Sequence, residues 1–252
     1  MEWFASLLDL PQFDALFLIS AVLVAGIVRG FAGFGLSALV MASCAVFIPP
    51  VELIPVCWAL EASASLMLAR GGWRDADRSV SYGLAIGSLV GLPLGLLVLL
   101  AVSEDASKLI ALCLVLSLAV LQLAKIRFAF LVTRAGLYGS GVAAGFAFGL
   151  ASLGGMTVAL YVLARDASAT VMRASIILYL IFSAFISGGM LAIFGLIDAQ
   201  SLSRSVVLIG PAIIGTLIGQ RFFIDRYAKY YRPFCLTLLI ALALAGIARL
   251  LV

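Results

Sequence analysis

Two charged side chains stand where a charge is expensive. Arg29 lies between Gly26 and Gly30 with apolar chain on both sides, and Glu61 sits well inside the apolar run 51–69. If those runs cross a membrane, each charge costs about 2.5–3.5 kcal/mol on insertion scales, which makes both residues functional candidates by default. A guanidinium stays charged at any relevant pH and presents a planar donor fork that suits oxyanions. Glycines beside it let backbone N–H groups at a helix break approach the same anion. The candidate anion-binding set is therefore Arg29, Gly30, Gly33, Phe34 and Gly35, and from the second half of the chain Ser152, Gly154, Gly155 and Arg173. Glu61 is the candidate proton-coupling group, because a carboxyl removed from water holds a proton more readily.

Blander roles stand beside these. Arg29 can mark the end of a short first helix and snorkel to headgroups. Glu61 can be a structural partner of Arg29, or a neutral acid bonded to a backbone carbonyl. Arg173, at the start of an apolar run, can be an interfacial anchor. Ser63, Ser65, Thr157, Ser175 and Ser183 can line a polar path or back-bond to their own helices. Lys229-Tyr230-Tyr231-Arg232 mixes aromatic and basic groups in the manner of a membrane-interface belt.

Other chemistry is excluded outright. The chain has no histidine, so it holds no Ser-His-Asp or Cys-His arrangement, no HExxH zinc site and no imidazole relay. Cys44, Cys57, Cys113 and Cys235 are scattered through apolar stretches as small hydrophobes. No GxxxxGK[ST] phosphate loop occurs. The reading expects no enzyme activity, no metal and no cofactor. The net charge of +4 comes from 16 basic and 12 acidic residues without a clustered basic face, which argues against a nucleic-acid partner.

The elements that position these residues follow from composition. Of 252 residues, 65% are apolar and 11% charged, against about 45–50% and 25% in ordinary soluble domains. A soluble globule of this size cannot hide that much apolar surface. The expected fold is an all-α polytopic membrane protein, a single integral membrane domain whose partners are the lipid bilayer and a small anion. Met1 to Leu10 lacks the basic start and cleavage site of a signal peptide, so the first apolar segment is expected to be retained.

A spanning helix needs about 20 mostly apolar residues. Such segments lie at 51–69, 83–102, 107–124, 174–197, 205–220 and 233–251. Two further segments, 13–47 and 128–163, are too long for one crossing and carry glycine near their centres: Gly26, Gly30, Gly33 and Gly35, then Gly145, Gly149, Gly154 and Gly155. Each is expected to break there, and either to cross twice or to enter and return as a hairpin.

Charge decides the parity. If each long segment begins and ends on one side, Arg70, Arg74, Arg78, Lys125, Arg127, Arg165, Arg173, Arg221, Arg226, Lys229 and Arg232 share one face. Glu2, Asp9, Asp14, Glu104, Asp105 and Asp198 then fall opposite, with Lys108, Arg204 and Arg249 as basic exceptions and Arg134 inside the second long segment. The positive-inside rule prefers this arrangement, with both termini outside.

The two glycine-rich segments also resemble each other at one fixed spacing: Gly26-Ile-Val-Arg-Gly-Phe-Ala-Gly-Phe-Gly35 against Gly145-Phe-Ala-Phe-Gly-Leu-Ala-Ser-Leu-Gly154. Gly87, Gly91 and Gly95 echo Gly210, Gly215 and Gly219, a pattern that serves equally for close helix packing. The reading is two inverted repeats of about four spans, residues 1–125 and 126–252, with a substrate site where their broken helices meet.

The first of these motifs, followed by Pro49-Pro50 and a span bearing Glu61, resembles the TauE/SafE family of sulfite-exporter-like permeases, also grouped with toluenesulfonate uptake permeases. Gly145 to Gly155 with Met172-Arg173-Ala174-Ser175 resembles the second half of that family. The second motif departs from the family's usual Gly-x-Gly-Gly-Pro by reading Ser152-Leu153-Gly154-Gly155-Met156. The resemblance implies a secondary transporter in a bacterial cytoplasmic membrane for small anions such as sulfite or sulfoacetate-like organosulfonates. Proton coupling through Glu61 and alternating access of one repeat against the other complete that reading. An anion channel, and a membrane subunit or assembly factor without transport of its own, are the alternatives. A homodimer is compatible with the sequence but not specified by it.

Overall fold

The computed structural model describes residues 8–126, 129–165, 168–221 and 228–251. Glu2, Arg127, Phe128, Asp166 and Arg226, and the side chains of Arg70 and of Lys229 to Arg232, lie outside the described residues. Among those described, the chain forms eleven α-helices, one 3-10 turn and no strand. The first half contains α1 (Gln12–Ala32), α2 (Leu36–Cys44), α3 (Pro50–Met67), α4 (Ala69–Asp75), α5 (Arg78–Ala101) and α6 (Glu104–Leu123). After the 3-10 turn Ala129–Val132 come α7 (Arg134–Ala151), α8 (Gly154–Ala164), α9 (Ala169–Ile193), α10 (Ala199–Arg221) and α11 (Ala228–Leu251).

Among the described residues, six helices are long and apolar enough to cross a membrane: Gln12–Ala32, Arg78–Ala101, Glu104–Leu123, Thr170–Ile193, Ala199–Arg221 and Pro233–Leu250. The protein is a multi-pass membrane protein. Its outward faces carry Phe13, Phe185, Ile193 and Val206 at 74–78% exposure, side chains that belong against hydrocarbon. The run 51–69, expected as a span, does form α3, but it is not among the six. Two carboxylates and two prolines in its eighteen residues, Glu52, Glu61, Pro50 and Pro55, lower its apolar content.

Several helices begin earlier than hydropathy alone suggests, because polar residues cap them. Asp77 accepts from the Val80 N–H, Ser103 from Ala106 and Ser168 from Val171. Each cap satisfies a backbone donor that the first turn leaves orphaned, and so draws flanking polar sequence into the helix.

Rows of glycine set the closest packing. A Cβ on Gly87 would stand 2.9 Å from the Gly141 Cα, and one on Gly95 would stand 3.0 Å from the Gly149 Cα, so α5 and α7 touch backbone to backbone. Helices α1 and α10 meet in the same way, with the Gly26 position 3.2 Å from the Gly215 Cα and the Gly30 position 2.8 Å from the Gly219 Cα. Numbers rise together along both seams, so each pair runs parallel. Without a Cβ the helices approach far enough for dispersion contacts to hold them in lipid.

Polar contacts mark the two ends of the bundle. Arg204, near the start of α10, donates from Nε to the Leu8 carbonyl at 2.9 Å and from Nη1 to Glu52 Oε2 at 2.6 Å. The beginnings of α1, α3 and α10 therefore share one end, and the chain from Leu8 to Glu52 goes in and comes back. Helix α3 then leads through α4 to the other end. There Asp77 pairs with Arg165 at 3.6 Å just past α8, and its N–H donates to Ser175 Oγ at 2.9 Å. Because α7 starts beside α5, at Gly83 and Leu137, the segment from Thr133 to Arg165 also leaves and returns to one end. Across the middle, the Trp58 indole N–H donates to the Ala184 carbonyl at 2.8 Å, fastening α3 to α9.

Candidate functional site

The first chain break follows from two left-handed glycines. Gly33 has φ 81° and its N–H donates to the Arg29 carbonyl at 2.9 Å, ending α1, while Gly35 has φ 97° and precedes α2. Residues with a Cβ adopt this backbone only at a cost, so the reversal is written in the glycines. It returns Ser37 toward α3, on which Glu61 and Ser65 stand one turn apart on a common face.

Arg29 is fully buried at this break. Its Nε donates to Glu61 Oε2 at 2.9 Å, its Nη2 to Ser65 Oγ at 2.7 Å, and its Nη1 to the Gly33 carbonyl. Glu61 Oε1 in turn accepts from both the N–H and the hydroxyl of Ser37 at 3.2 Å. Taking two charges out of water is repaid only when they lie close and their remaining polar atoms are bonded, and both conditions hold here. Glu61 is thus the partner of Arg29, one of the roles left open by the sequence, and Arg29 does not extend to headgroups.

Arg173 belongs geometrically to this same break, although its sequence neighbours tie it to the second. Its Nη2 donates to the Gly30 carbonyl at 2.5 Å. A Cβ on Gly33 would come within 2.7 Å of Arg173 Cγ. Gly30 itself is a packing glycine against α10, with only its carbonyl turned to Arg173.

The second break is built differently. Ser152 closes α7 in a left-handed conformation, φ 57° and ψ 30°, with its N–H on the Phe148 carbonyl at 2.7 Å and the Leu153 N–H on that of Ala147 at 3.2 Å. The break forms with serine where the family's motif has glycine, and with Met156 where it has proline. Helix α8 then starts at Gly154 with no side chain capping it. The Ser152 hydroxyl is buried without a hydrogen-bond partner, and so is the hydroxyl of Tyr179 on α9. The hydroxyls of Ser88 and Ser183 flank Tyr179 outside bonding geometry. Gln122 Nε2 donates to the Met156 carbonyl at 3.2 Å. Every side chain named at this break is uncharged.

The two breaks are neighbours. A Cβ on Gly155 would stand 3.8 Å from that of Phe34. The structure therefore gathers Arg29, Gly33, Phe34, Gly35, Glu61 and Arg173 around the first break and brings Gly155 of the second beside Phe34, while Ser152 and Gly154 face α7 and α9. Of the path-lining candidates, Ser63 and Thr157 back-bond to the Leu60 and Leu153 carbonyls at 2.8 and 3.2 Å, while Ser175 bonds Asp77 and Ser81. Ser37, Ser88 and Tyr179 escaped the sequence reading. Ser37 carried a signal, standing two residues past a left-handed glycine, but nothing local points to Tyr179 or Ser88. Among the described residues no group of three or more His, Cys, Asp and Glu side chains is arranged to hold a metal.

Six apolar helices around two neighbouring chain breaks define a multi-pass membrane protein with a polar centre. The profile of the sulfite exporter TauE/SafE family matches residues 18–246, nearly the whole chain, and the protein belongs to that family. Membership makes it a membrane transporter of sulfur anions. No curated protein and no solved structure matches the chain.

Proposed function

We propose that the protein is a secondary transporter that moves sulfite or a small organosulfonate such as sulfoacetate across a bacterial cytoplasmic membrane. The observation that carries this reading is the closeness of the two chain breaks at Phe34 and Gly155. Backbone interrupted at membrane depth is tolerated where it is buried in protein or lines a cavity, and transporters place their substrate at such breaks. The anion sits at the junction, with Arg29 and Arg173 supplying positive charge from the first side and Ser152, Gly154 and Gly155 supplying donors from the second.

Alternating access is supported by the way the halves exchange partners. Helix α1 of residues 1–125 packs on α10 of 126–252, and α5 of the first half packs on α7 of the second. Two inverted repeats related by a twofold axis in the membrane plane produce this reciprocity, and the shared ends of the segments Leu8–Glu52 and Thr133–Arg165 agree with it. Both termini then lie outside, and the Arg165–Asp77 end faces the cytoplasm. Proton coupling enters through Glu61. Protonation there weakens the hold on Arg29 and frees its guanidinium for the anion, so proton and anion occupancy are linked.

The test is flux into liposomes holding the purified full-length protein. Sulfite, sulfoacetate, taurine, acetate and chloride are offered with and without a pH gradient. Saturable, counterflow-competent uptake of a sulfur oxyanion that responds to the gradient is expected. In the double variant Arg29→Gln/Glu61→Gln, which keeps the break neutral, uptake falls and no longer responds to the gradient. Flux that rises linearly without saturation would contradict a carrier. Unchanged coupling in the double variant would remove Arg29 and Glu61 from the mechanism.

A further inference from the structure

The second break contains two hydroxyls that the fold does not use. Tyr179 is fully buried and Ser152 is 4% exposed, yet neither Oη nor Oγ has a hydrogen-bond partner. Burying such a group unpaired is unfavourable, and native interiors rarely leave two in one place. Both stand at the N-terminus of α8. A Cβ on Gly154, the first residue of that eleven-residue helix, would lie 3.3 Å from Tyr179 Oη, and Ser152 is two residues before it. The helix start has no side-chain cap, so its first-turn N–H groups are left without a side-chain partner, at a helix end that favours negative charge.

We infer that this cradle is the oxyanion subsite, in which the three oxygens of an R–SO3 group accept from Tyr179 Oη, Ser152 Oγ and the opening N–H groups of α8. The inference rests on the anion-transport reading and deepens it. The anion is recognised by neutral donors at the second break, while the cations of the first break supply the field. Neutral recognition suits a carrier, because the group must be released on the far side and a further cation in direct contact would hold it. Three converging donors also select by shape: a pyramidal SO3 head engages all of them, and a planar carboxylate or a halide does not. Gly154 packs closely at this spot: a Cβ there would stand 3.2 Å from the Ala144 carbonyl oxygen and 3.3 Å from both Phe148 Cβ and Tyr179 Oη, so only glycine leaves the Tyr179 hydroxyl next to the backbone of the helix start. Tyr179 is accordingly a specificity-determining residue.

The experiment measures equilibrium binding of radiolabelled sulfite and of methanesulfonate to full-length protein in nanodiscs, alongside acetate. Tyr179→Phe removes one oxygen, and Ser152→Gly removes the hydroxyl while suiting the left-handed backbone. Each is expected to weaken sulfite and methanesulfonate binding roughly tenfold, the size of a hydrogen bond to a charged group. Melting temperatures without ligand should stay at the wild-type value, while the ligand-induced rise shrinks. Acetate binding should change much less. Wild-type affinity for both sulfur anions in both variants overturns the subsite and leaves the transport reading standing. A wild-type protein that neither binds nor transports any sulfur anion overturns that reading, and this inference with it. If Tyr179→Phe proves unstable, Ser152→Gly decides alone.

Discussion

The chain is interrupted twice inside its apolar body, and the two interruptions are stabilised by different means. At the first, two glycines at φ 81° and 97° turn the backbone, and a buried ion pair reaches from Arg29 across to α3. At the second, a serine takes the left-handed turn, and the polar side chains beside it are hydroxyls and an amide, without a charge. The first break is closed upon itself: Nε, Nη1 and Nη2 of Arg29 and both carboxylate oxygens of Glu61 already have partners. The second leaves two buried hydroxyls unused. Glycine and a paired charge close the first break, while the second keeps two donors unpaired. Two segments that look alike in sequence thus build their breaks from different groups.

The difference can be broken most sharply at Glu61. Glu61→Ala leaves the Arg29 guanidinium buried without its counter-charge, and removing one partner of a buried pair costs about 3–5 kcal/mol. Thermal unfolding in detergent should show a large loss for Glu61→Ala and a much smaller one for Arg29→Gln/Glu61→Gln. Equal losses in both proteins would mean that packing, not the ion pair, holds this break.

The backbone contrast predicts a smaller asymmetry. Gly33→Ala forces a side chain into a left-handed turn at about 1–2 kcal/mol and pushes its methyl toward Arg173. Ser152→Gly meets the opposite situation. It relieves the same strain while adding unfolded-state entropy, and these nearly cancel to within about 1 kcal/mol. Melting curves that show Ser152→Gly as damaging as Gly33→Ala would erase the distinction between the breaks.

The weakest effect provides a reference outside both breaks. Asp198, between α9 and α10, accepts from the Ser201 N–H at 2.7 Å, and these Ser201 hydrogen bonds hold its carboxyl below the usual aspartate value. A lowered folded-state value contributes stability that is fully present above the ordinary aspartate value of about 3.9 and is lost as pH falls from there through the lower folded-state value. The carboxylate is well solvated, so Asp198→Asn should blunt the acid end of a stability-pH curve only slightly. A curve left identical by Asp198→Asn would remove the Ser201 contacts from the acid response.

Much of this was legible in local sequence. Composition dictated an all-helical membrane protein because an excess of apolar side chains has no other solvent. The break at Gly33 and Gly35 was legible because φ freedom belongs to the residue itself. Hydropathy alone places the start of α5 late, since the Asp77 cap acts through a hydrogen bond that hydropathy does not register. The run 51–69 was read as an ordinary span, although the carboxylate and prolines within it belong to a helix that serves the polar centre.

What the sequence by itself determined, then, is solvent, helix content, the place of each chain reversal and the family. Only the tertiary structure decided that Arg29 spends itself on Glu61 and Ser65, that Arg173 crosses to the first break, and that Tyr179 comes to stand over the start of α8. Hydropathy and backbone freedom are properties of a residue and its neighbours. A hydrogen bond between Arg173 and Gly30 is a property of two glycine seams and a crossing helix that together set which side chains meet.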